Sequence, residues 1–360
     1  MQTTPIAILG ASGYSGMEAA RILAFHPRAD VRVLSSDRWD GDTGEKRLGL
    51  SPKLTKVGAL KFTGWETGYK QALEECEAVL LALPAEASLE FAPKLIAAGK
   101  KVVDFSGAFR LQDLAVFEKA YALQHKDVAP LREAVYAMTE IPGTRAKVKS
   151  ARLVSNPGCF PTAASLSVAP LLQANLLAHT PIIFDAKSGV TGAGRKASED
   201  FSFSELNDGF KAYRVLKHQH TPEIAQVLAQ VAGRPVSLTF TAHLLPVRRG
   251  ILCTAYAQLA PGVSAGAIKE ALVAAYASEP FVRVVDDANQ VRLRNVVGTN
   301  ACEIGVSVGD SFGLDPGRVV VTSAIDNLVK GAAGQAVQNL NLQMGWDESC
   351  GLDALRGHHP

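Results

Sequence analysis

Short apolar runs alternate with amphipathic segments over the first 156 residues of the chain. Continuous apolar runs such as Ile6–Leu9 and Ala78–Leu83 are typical of parallel strands that are buried on both faces. Strands are predicted at 6–9, 31–34, 78–84, 101–105 and 152–154, with helices at 17–25 and 85–98. This repeated alternation predicts an α/β fold with a Rossmann-type, doubly wound parallel sheet.

The pattern changes after residue 156. Longer strands separated by fewer helices are predicted at 181–186, 237–242, 250–259, 282–285, 301–308 and 318–323. They indicate a second, α+β domain with a mixed sheet over residues 157–323, and one broad face of that sheet could support oligomerisation. A last helix is predicted at 324–342, and we expect the segment 324–360 to rejoin the first domain, residues 1–156.

Composition and charge narrow the possible partners. The 360 residues are 47% hydrophobic and 20% charged, and the formal net charge of +2 gives no reason to expect nucleic acid or an anionic membrane as a partner. Neither a signal segment nor an apolar run long enough to span a bilayer is evident. Five cysteines, an odd number without CxxC spacing, argue against a disulfide framework or a metal site and favour a cytoplasmic location.

A glycine-rich loop follows the first predicted strand and opens the first predicted helix. Gly10, Gly13 and Gly16 give the spacing G-x-x-G-x-x-G, a variant of the dinucleotide-binding fingerprint. The first glycine permits the tight turn, the second lets the cofactor phosphates approach the backbone, and the third lets the helix pack closely on the strand. The loop therefore predicts a nicotinamide dinucleotide site.

The end of the second strand bears on which dinucleotide binds. Ser35, Ser36 and Arg38 offer hydroxyls and a guanidinium that suit the 2′-phosphate of NADP. Asp37 leaves NAD open, because an acidic residue at this place can bind the ribose hydroxyls. We interpret the set as an NADP determinant, and a solvated loop is the alternative.

The stretch at 155–162, with the sequence SNPGCFPT, joins a strand to an apolar helix predicted at 163–172. Pro157 and Gly158 predict a sharp turn, and Pro161 suits the first turn of a helix. Cys159 should therefore lie at or beside a helix N-terminus, where the dipole favours the thiolate form that attacks carbon. A buried cysteine acting as a small hydrophobe is the alternative, but the strand–turn–helix setting favours a nucleophile.

Two polar segments suit an anionic substrate. Ser106 and Arg110 follow the strand at 101–105, at the sheet edge where ligands bind, although a structural salt bridge is an equal role for the arginine. The loop at 187–196 is glycine-rich and cationic, with Arg195 and Lys196 at its end. A flexible surface loop is the alternative for this second segment.

Two histidines precede a helix whose start is clearly marked. We expect Thr221 to be the N-cap, Pro222 to take the first helical position and Glu223 to complement the dipole. His218 and His220 lie just before it, in an extended segment where residues two apart share a face. Such a pair is a candidate for general acid–base catalysis.

With these motifs the chain resembles the N-acetyl-γ-glutamyl-phosphate reductases, a family of the arginine pathway. The resemblance is carried by residues 155–162, by the glycine loop, and by the segments 218–224, 243–251 and 326–336, and covers nearly the whole chain in order. The family usually has tyrosine where this chain has Phe160, and commonly has arginine where it has Gln219. It often has Ser-Ala-Asp-Phe-Arg where this chain has residues 106–110.

The resemblance implies the reduction of an acyl phosphate. Cys159 would attack the γ-acyl carbon and expel phosphate, and hydride transfer from NADPH to the thioester would lead to the semialdehyde. Asn156 and backbone N–H groups near Cys159 would stabilise the oxyanion. His218, held by Glu223, is the first candidate for the proton carrier, and His220 is the second.

The expected sites are as follows. NADP(H) is expected to contact Gly10, Ser12, Gly13, Tyr14, Ser15, Gly16, Ser35, Ser36, Arg38, Pro84, Ser188, Gly189, Asn327 and Gly331. The substrate is expected to contact Ser106, Arg110, Asn156, Arg195 and Lys196. The expected partners are a small acyl phosphate and further copies of the chain, in a dimer or tetramer, with no nucleic acid, membrane or metal ion.

Three other functions stay open on the sequence alone. Aspartate-semialdehyde dehydrogenase shares the chemistry, but its nucleophile usually lies in an Asn-Cys-Thr setting, whereas here Gly158 precedes Cys159. A lysine-pathway N-acetyl-aminoadipyl-phosphate reductase would take a substrate longer by one methylene, which is worth only ~1–3 kcal/mol of discrimination. An NADP-binding regulatory protein without turnover is the third, and it would not need Cys159 or the histidines.

Overall fold

Two sheets organise the chain, which the computed structural model describes over residues 3–195, 197–309 and 312–353. Of the described residues, those up to Gly158 and those from Ala332 to 353 form one compact unit, and those from Cys159 to Gly331 form the other. Each unit is built around one of the sheets.

The sheet of the first unit is entirely parallel. Its strands are β1 (Thr4–Leu9), β2 (Ala29–Ser35), β3 (Ala78–Leu81), β4 (Lys101–Asp104), β5 (Val135–Tyr136) and β6 (Leu153–Ser155). They lie in the order β2-β1-β3-β4-β6-β5. Because the chain steps from β1 to β2 on one side and returns to β3 on the other, the switch point lies at the end of β1, where Gly10 begins the glycine loop. The predicted Rossmann-type sheet is confirmed.

Eight helices accompany these strands in sequence. They are α1 (Tyr14–Leu23), α2 (Gly44–Leu48), α3 (Lys56–Ala59), α4 (Trp65–Glu75), α5 (Ala85–Ala97), α6 (Leu114–Tyr121), α7 (Ala129–Glu133) and α8 (Thr144–Ser150). Apolar residues of β1, β3 and β4 are buried together with Ala92, Leu95 and Ile96 of α5. The loops that contain the predicted ligand-binding residues follow the carboxyl ends of these strands, outside this core.

The second unit has the predicted mixed sheet. Its strands are β7 (Ile182–Gly189), β8 (Lys211–Tyr213), β9 (Leu238–Leu245), β10 (Ile251–Gln258), β11 (Val282–Val285), β12 (Cys302–Gly309) and β13 (Arg318–Ile325), in the order β11-β12-β13-β10-β7-β9-β8. The pairs β11–β12 and β7–β9 are parallel, and the others are antiparallel.

A buried helix forms the centre of this unit. Its helices are α9 (Cys159–Gln173), α10 (Phe203–Leu206), α11 (Thr221–Ala232) and α12 (Ala265–Tyr276). Every residue of α9 from Phe160 to Leu172 is buried, and the helix packs on β10, β13, α11 and α12. Helix α9 begins at Cys159, earlier than the predicted start at residue 163, because Pro161 is tolerated in a first turn that needs no donor from it.

The predicted helix at 324–342 is wrong at its start. Strand β13 continues through Ile325, which pairs with Ile251 and Cys302 on its two neighbours. A π-helical turn at Val329–Ala333 then leads into α13 (Gly334–Gln343). A short apolar run is compatible with strand or helix, and pairing on both sides decided for the strand.

Five short 3₁₀ turns complete the described elements, at Asp37–Trp39, Val190–Ala193, Glu199–Phe201, Ala288–Gln290 and Leu293–Asn295. Within the described ranges no helix combines the length and apolarity needed to cross a bilayer.

Candidate active site

Cys159 is the first residue of α9 and lines a cavity of about 480 Å³ within the second unit. The chemically active or charged side chains around the cavity are Cys159, Asp200, Lys211, Tyr213, Arg214, His218 and His220. The cysteine is half-buried, so its thiol is held by the fold and still faces a space that a small substrate can enter. The predicted association of Cys159, His218 and His220 is therefore present in one cavity.

Gly331 determines how closely the chain can pack against Cys159. A Cβ atom at this position would lie 2.8 Å from the Cβ atom of Cys159 and 3.2 Å from its Cα atom. The Gly331 N–H donates to the backbone oxygen of Asp326 at 2.9 Å, which holds the turn in place. Gly331 was expected among the cofactor contacts, and the structure gives it a packing role beside Cys159.

None of the other four cysteines, all within the described residues, lines this cavity. Burial raises the pKa of Cys76 and of Cys253 to about 12, and burial also raises the pKa of Cys350. These thiols stay protonated near neutral pH and are poor nucleophiles. Cys159 is thus the cysteine whose position suits covalent catalysis.

His218 and His220 lie side by side in the wall of the cavity, with ring centroids 5.0 Å apart. The His218 ring packs edge-on against Phe160, Tyr213 and Phe240, at centroid distances of 5.4, 5.6 and 5.2 Å. The loss of the family's tyrosine hydroxyl at Phe160 leaves this aromatic packing intact.

The protonation of His218 follows from its surroundings. Its Nδ1 atom accepts the backbone N–H of His220 at 3.1 Å. Burial, helped by the positive charge of Arg214, lowers the pKa of His218 to about 4. The ring is therefore neutral at pH 7, and because Nδ1 acts as an acceptor, its single hydrogen lies on Nε2.

The helix start at these histidines differs from the prediction. His220 occupies the N-cap position with φ −81° and ψ −13°, so the segment is turned rather than extended, and Thr221 is the first residue of α11 rather than its cap. The Thr221 N–H donates to the backbone oxygen of His218 at 3.0 Å. Glu223 is completely buried in the first turn of α11. The turn, rather than strand-like alternation, brings the two imidazoles together.

A polar network holds the loop after β7 against the loop after β9. The Asn327 side chain accepts from the Gly250 N–H at 2.7 Å and donates to the Thr191 hydroxyl at 2.9 Å. That hydroxyl donates to the backbone oxygen of Arg248 at 2.7 Å. At Gly189 a Cβ atom would lie 2.8 Å from the backbone nitrogen of Arg249, so only glycine permits this approach.

The remaining residues of this loop fall as follows. Ser188 and Gly189 line the cavity, and the Ser188 hydroxyl donates to the Gly189 oxygen at 3.0 Å. Arg195 is half-buried just after the cavity-lining Ala193, and Lys196 lies outside the described residues. The loop expected to bind an anion therefore does line the cavity, while the roles expected for its two cations stay predictions.

The glycine loop of the first unit has the geometry of a phosphate cradle. Gly10 has φ +90°, and a Cβ atom there would lie 2.4 Å from the backbone oxygen of Ala82. One at Gly16 would lie 2.5 Å from the Gly10 oxygen, whereas one at Gly13 would approach it only to 3.6 Å. Internal packing thus requires glycine at 10 and 16 but not at 13. The space above Gly13 fits a group that binds from outside, as expected for a dinucleotide.

Other residues of this unit that are expected to contact the cofactor lie at the starts of helices or at the end of β2. Tyr14 and Ser15 begin α1, and Pro84 occupies the N-cap position of α5. The Ser36 hydroxyl donates to the Ser12 hydroxyl at 2.7 Å, which ties the end of β2 to the glycine loop.

The acidic residue at the end of β2 is engaged inside the protein. The Asp37 carboxylate accepts the N–H of Trp65, the first residue of α4, at 2.6 Å. Ser35 is buried against Gly68, whereas Arg38 is exposed. Of the two charged side chains here, Asp37 is bonded to the start of α4, whereas the guanidinium of Arg38 is exposed to solvent.

Ser106, Arg110 and Asn156 are buried and bonded within the first unit. The Ser106 hydroxyl donates to Asp104 at 2.7 Å, and Arg110 Nε donates to the backbone oxygen of Asn156 at 2.9 Å. The Asn156 amide oxygen accepts from Asn339 at 3.0 Å, and its amide nitrogen donates to a backbone oxygen at 3.1 Å. The structure brings the three together, and their roles toward substrate stay predictions.

The family's alanine at position 107 has no room in this chain. A Cβ atom at Gly107 would lie 2.2 Å from the Tyr121 ring. The glycine and the tyrosine ring therefore fit each other as a pair.

Sequence reasoning did not single out four of the charged or hydroxyl-bearing residues of the cavity: Asp200, Lys211, Tyr213 and Arg214. Burial, and then the charge of Cys159, raises the pKa of Tyr213, which keeps its hydroxyl protonated. The signal of the last three in the sequence is two cations and an aromatic residue shortly before His218, which is too common a pattern to single out.

Two family models match the chain. A semialdehyde dehydrogenase NAD binding domain matches residues 5–151, and a semialdehyde dehydrogenase dimerisation domain matches residues 159–327. Among solved structures, aspartate semialdehyde dehydrogenase II of Vibrio cholerae has a TM-score of 0.73 at 17% identity, over 96% of this chain and 99% of that one. A probable aspartate-semialdehyde dehydrogenase of Pseudomonas aeruginosa has a TM-score of 0.71 at 21% identity, over 95% and 99%. The domains and the fold define a semialdehyde dehydrogenase.

Relatives of higher identity narrow the class. N-acetyl-gamma-glutamyl-phosphate reductase of Pelotomaculum thermopropionicum is 43% identical over 347 residues, which are 96% of this chain and 97% of that protein. That of Magnetococcus marinus is 42% identical over 354 residues, 98% of each. A probable chloroplastic one of Arabidopsis thaliana is 43% identical over 349 residues, 96% of this chain and 83% of that protein. The chain belongs to the N-acetyl-γ-glutamyl-phosphate reductase family, which confirms the resemblance carried by its motifs.

Proposed function

We propose that the protein reduces N-acetyl-γ-glutamyl phosphate to N-acetylglutamate 5-semialdehyde with release of phosphate, using NADPH, in arginine biosynthesis. The observation that carries the proposal is Cys159 at the start of α9, in a cavity with two buried histidines, in a chain 43% identical to reductases of that name. Relatives of this identity over nearly the whole chain favour the glutamyl substrate over the aspartyl and aminoadipyl ones.

Cys159 is the nucleophile in this proposal. Its thiolate forms a bond to the γ-acyl carbon, and the bond from that carbon to the phosphate oxygen breaks, which leaves a thioester and free phosphate. The N-terminal position on α9 favours the thiolate electrostatically. The first N–H groups of a helix have no intrahelical acceptor, so the N–H of Phe160, next to Cys159, can donate to the oxyanion that forms at the carbonyl.

The geometry favours His220 over His218 as the proton carrier, the reverse of the order expected from the sequence. The neutral His218 ring carries its hydrogen on Nε2 and therefore presents a donor there. To accept a proton at Nε2, the ring would first have to move that hydrogen to Nδ1, and Nδ1 would then lose the hydrogen bond that it accepts from the His220 N–H. We therefore assign His218 a fixed donor role toward substrate oxygen. His220 carries the proton to and from the thiohemiacetal oxygen, with Glu223 as the buried acidic partner of the pair.

The dinucleotide supplies the hydride that reduces the thioester. The backbone at Gly10, Gly13 and Gly16 would hold its diphosphate, because the room at Gly13 is not used by the protein. Arg38 and Ser36 would hold the 2′-phosphate of NADP. The bond from Asp37 to the start of α4 supports NADP over NAD, since this carboxylate is engaged away from a ribose.

The protein is further proposed to form a homo-oligomer in the cytoplasm through the open face of the second sheet. Along β7, Phe184 and Ala186 are buried on the α9 side, while Ile183 on the opposite face is 46% exposed. Strands β9 and β10 alternate in the same way. An Ile183→Glu substitution should convert the oligomer to a monomer in light scattering, and an unchanged mass would exclude this face.

The test of the activity is the reverse reaction, in which the semialdehyde, phosphate and NADP give the acyl phosphate and NADPH. N-acetylglutamate semialdehyde should show a kcat/KM about 10–200-fold above that of the aminoadipate analogue, as one methylene allows. Aspartate semialdehyde should be turned over still less well. A higher kcat/KM for either analogue would overturn the substrate assignment.

A further inference from the structure

We propose that Arg214 binds the α-carboxylate of the substrate and sets specificity for it, in place of an arginine at position 219. The inference rests on the proposed function. Arg214 and Gln219 both line the cavity that contains Cys159. The position now held by Gln219 is the one at which the family commonly has arginine.

The contact between the two residues explains how the guanidinium is aimed. Arg214 Nη1 donates to Gln219 Oε1 at 2.8 Å. The glutamine is half-buried beside His218 and His220 in the chain, so it anchors the longer and more exposed arginine side chain. Because the acceptor is a neutral amide, the bond leaves the positive charge of the guanidinium, and its other N–H donors, available to an anion.

The turn that carries Arg214 has a strained backbone. Arg214 has φ +47° and Leu216 has φ +58°, both in the left-handed region that non-glycine residues rarely adopt. The Lys217 N–H closes the turn by donating to the Arg214 oxygen at 2.9 Å. Strain of this kind is tolerated mainly at functional positions, and the turn leads directly into His218.

The charges around the cavity single out Arg214. Among the described lining residues, Lys211 forms an ion pair with Asp200, with 3.1 Å between Nζ and Oδ1. This pairing partly cancels the charge of Lys211, whereas Arg214 is held by an amide. The positive charge of Arg214 also contributes to the lowered pKa of His218, which places it within electrostatic reach of the site.

Of the two anionic groups of the substrate, the carboxylate fits Arg214 better. The phosphate must lie next to the thiol that displaces it, and Cys159 is half-buried. Arg214 is exposed, on the side of the cavity open to solvent, where the other end of the substrate would lie. A guanidinium fork matches a carboxylate through two parallel hydrogen bonds.

The kinetic test exchanges the arginine between the two positions. In the reverse reaction, Arg214→Gly should raise the KM for N-acetylglutamate semialdehyde about 10–100-fold, as expected for a lost charged hydrogen bond, and leave the KM for phosphate unchanged. Adding Gln219→Arg to this variant should restore most of the lost affinity. A rise in the KM for phosphate instead, or no rise in either, would overturn the inference.

A matched control separates binding from folding. Leu216→Gly relieves a positive φ in the same turn, but Leu216 is 80% exposed and does not line the cavity. Both glycine variants should raise the midpoint of thermal unfolding, because glycine adopts this conformation freely. Only Arg214→Gly should change the KM for the semialdehyde. An equal change in the Leu216 variant would mean that the turn, and not the guanidinium, is responsible.

A binding measurement keeps this inference separate from the proposed reaction. N-acetylglutamate, which has the α-carboxylate but no phosphate, is titrated into the Cys159→Ser protein in a calorimeter. The further substitution Arg214→Gly should weaken its Kd by the same 10–100-fold as the kinetic effect. Equal Kd values would refute the role of Arg214, whereas absence of binding to either protein would refute the proposed substrate and, with it, this assignment.

Discussion

Burial of His218 should make the protein lose stability in mild acid. The ring is 6% exposed, and its pKa is lowered from 6.5 to about 4, first by burial and second by the charge of Arg214. Between these two values the unfolded chain binds a proton at His218 that the folded protein excludes. The contribution to stability is therefore complete above about pH 7 and is lost as the pH falls through 6.5 towards 4.

The size of the effect follows from the same two values. Each pKa unit is worth about 1.36 kcal/mol, so the difference between 6.5 and about 4 corresponds to ~3 kcal/mol of unfolding free energy. That is a large share of the roughly 5–15 kcal/mol by which proteins are usually stable. A loss of this size is well within the range of denaturant measurements.

The assay compares urea unfolding of the wild-type protein and of His218→Gln, whose amide keeps an N–H donor but does not titrate. From about pH 7 to about pH 4.5, the difference in unfolding free energy should move in favour of the variant by ~2–3 kcal/mol. His26 and His125, whose pKa values are also lowered by burial, are present in both proteins and cancel. His179→Gln, at an exposed position, is the control for removing an imidazole. A difference that stays constant with pH would refute the reasoning.

Three further outcomes test the site. Cys159→Ser should abolish turnover but leave the fluorescence titration with NADP unchanged, because an alcohol is hardly ionised near neutral pH, and residual turnover would exclude the nucleophile. Arg38→Ala should raise the KM for NADP roughly 10-fold and barely change that for NAD, and equal effects would remove the 2′-phosphate assignment. Gly331→Ala would place a methyl 2.8 Å from the Cβ atom of Cys159, so kcat should fall at least ~10-fold. The control Gly309→Ala adds a methyl in open space and should leave kcat unchanged. Similar kcat values for the two variants would contradict the packing argument.

Local pattern was sufficient for much of the fold. The strand at Val282–Val285 has the predicted bounds, and β1, β3 and β4 lie within three residues of theirs, because continuous apolar runs between polar turns have few other structures open to them. The sequence predicts α9 only over residues 163–172, because Pro161 marks the start of a helix, whereas the structure begins the helix at Cys159. Strand β13 and α13 were merged into one helix because an apolar run does not reveal the neighbours that pair with it.

The candidate nucleophile Cys159 and the glycine loop could be singled out without a structure, because their chemistry needs particular residue types at short spacing. Gly16 illustrates this, since it is required by the backbone oxygen of Gly10 in the same loop. The surroundings of Cys159 could not be found in this way. Gly331 reaches it from the opposite end of the second unit's sequence, and the partner of Arg214 depends on a left-handed turn that the residue types disfavour.

By itself the sequence determined the parallel sheet, the mixed sheet and the cofactor loop, and it singled out Cys159 as the candidate nucleophile, because all of these follow from hydrophobic period and from local turn chemistry. The tertiary structure decided the tautomer of His218, the pairing of Arg214 with Gln219 and the hydrogen bonds through which Asn327 holds the loops after β7 and β9 together. The hydrogen bonds at His218 and Arg214 lie within one turn, but the space that desolvates His218 is enclosed by Phe160 and Phe240 from distant segments. Burial and hydrogen bonding in that space, rather than residue type, determine which atom holds a proton and which charge stays available to a substrate.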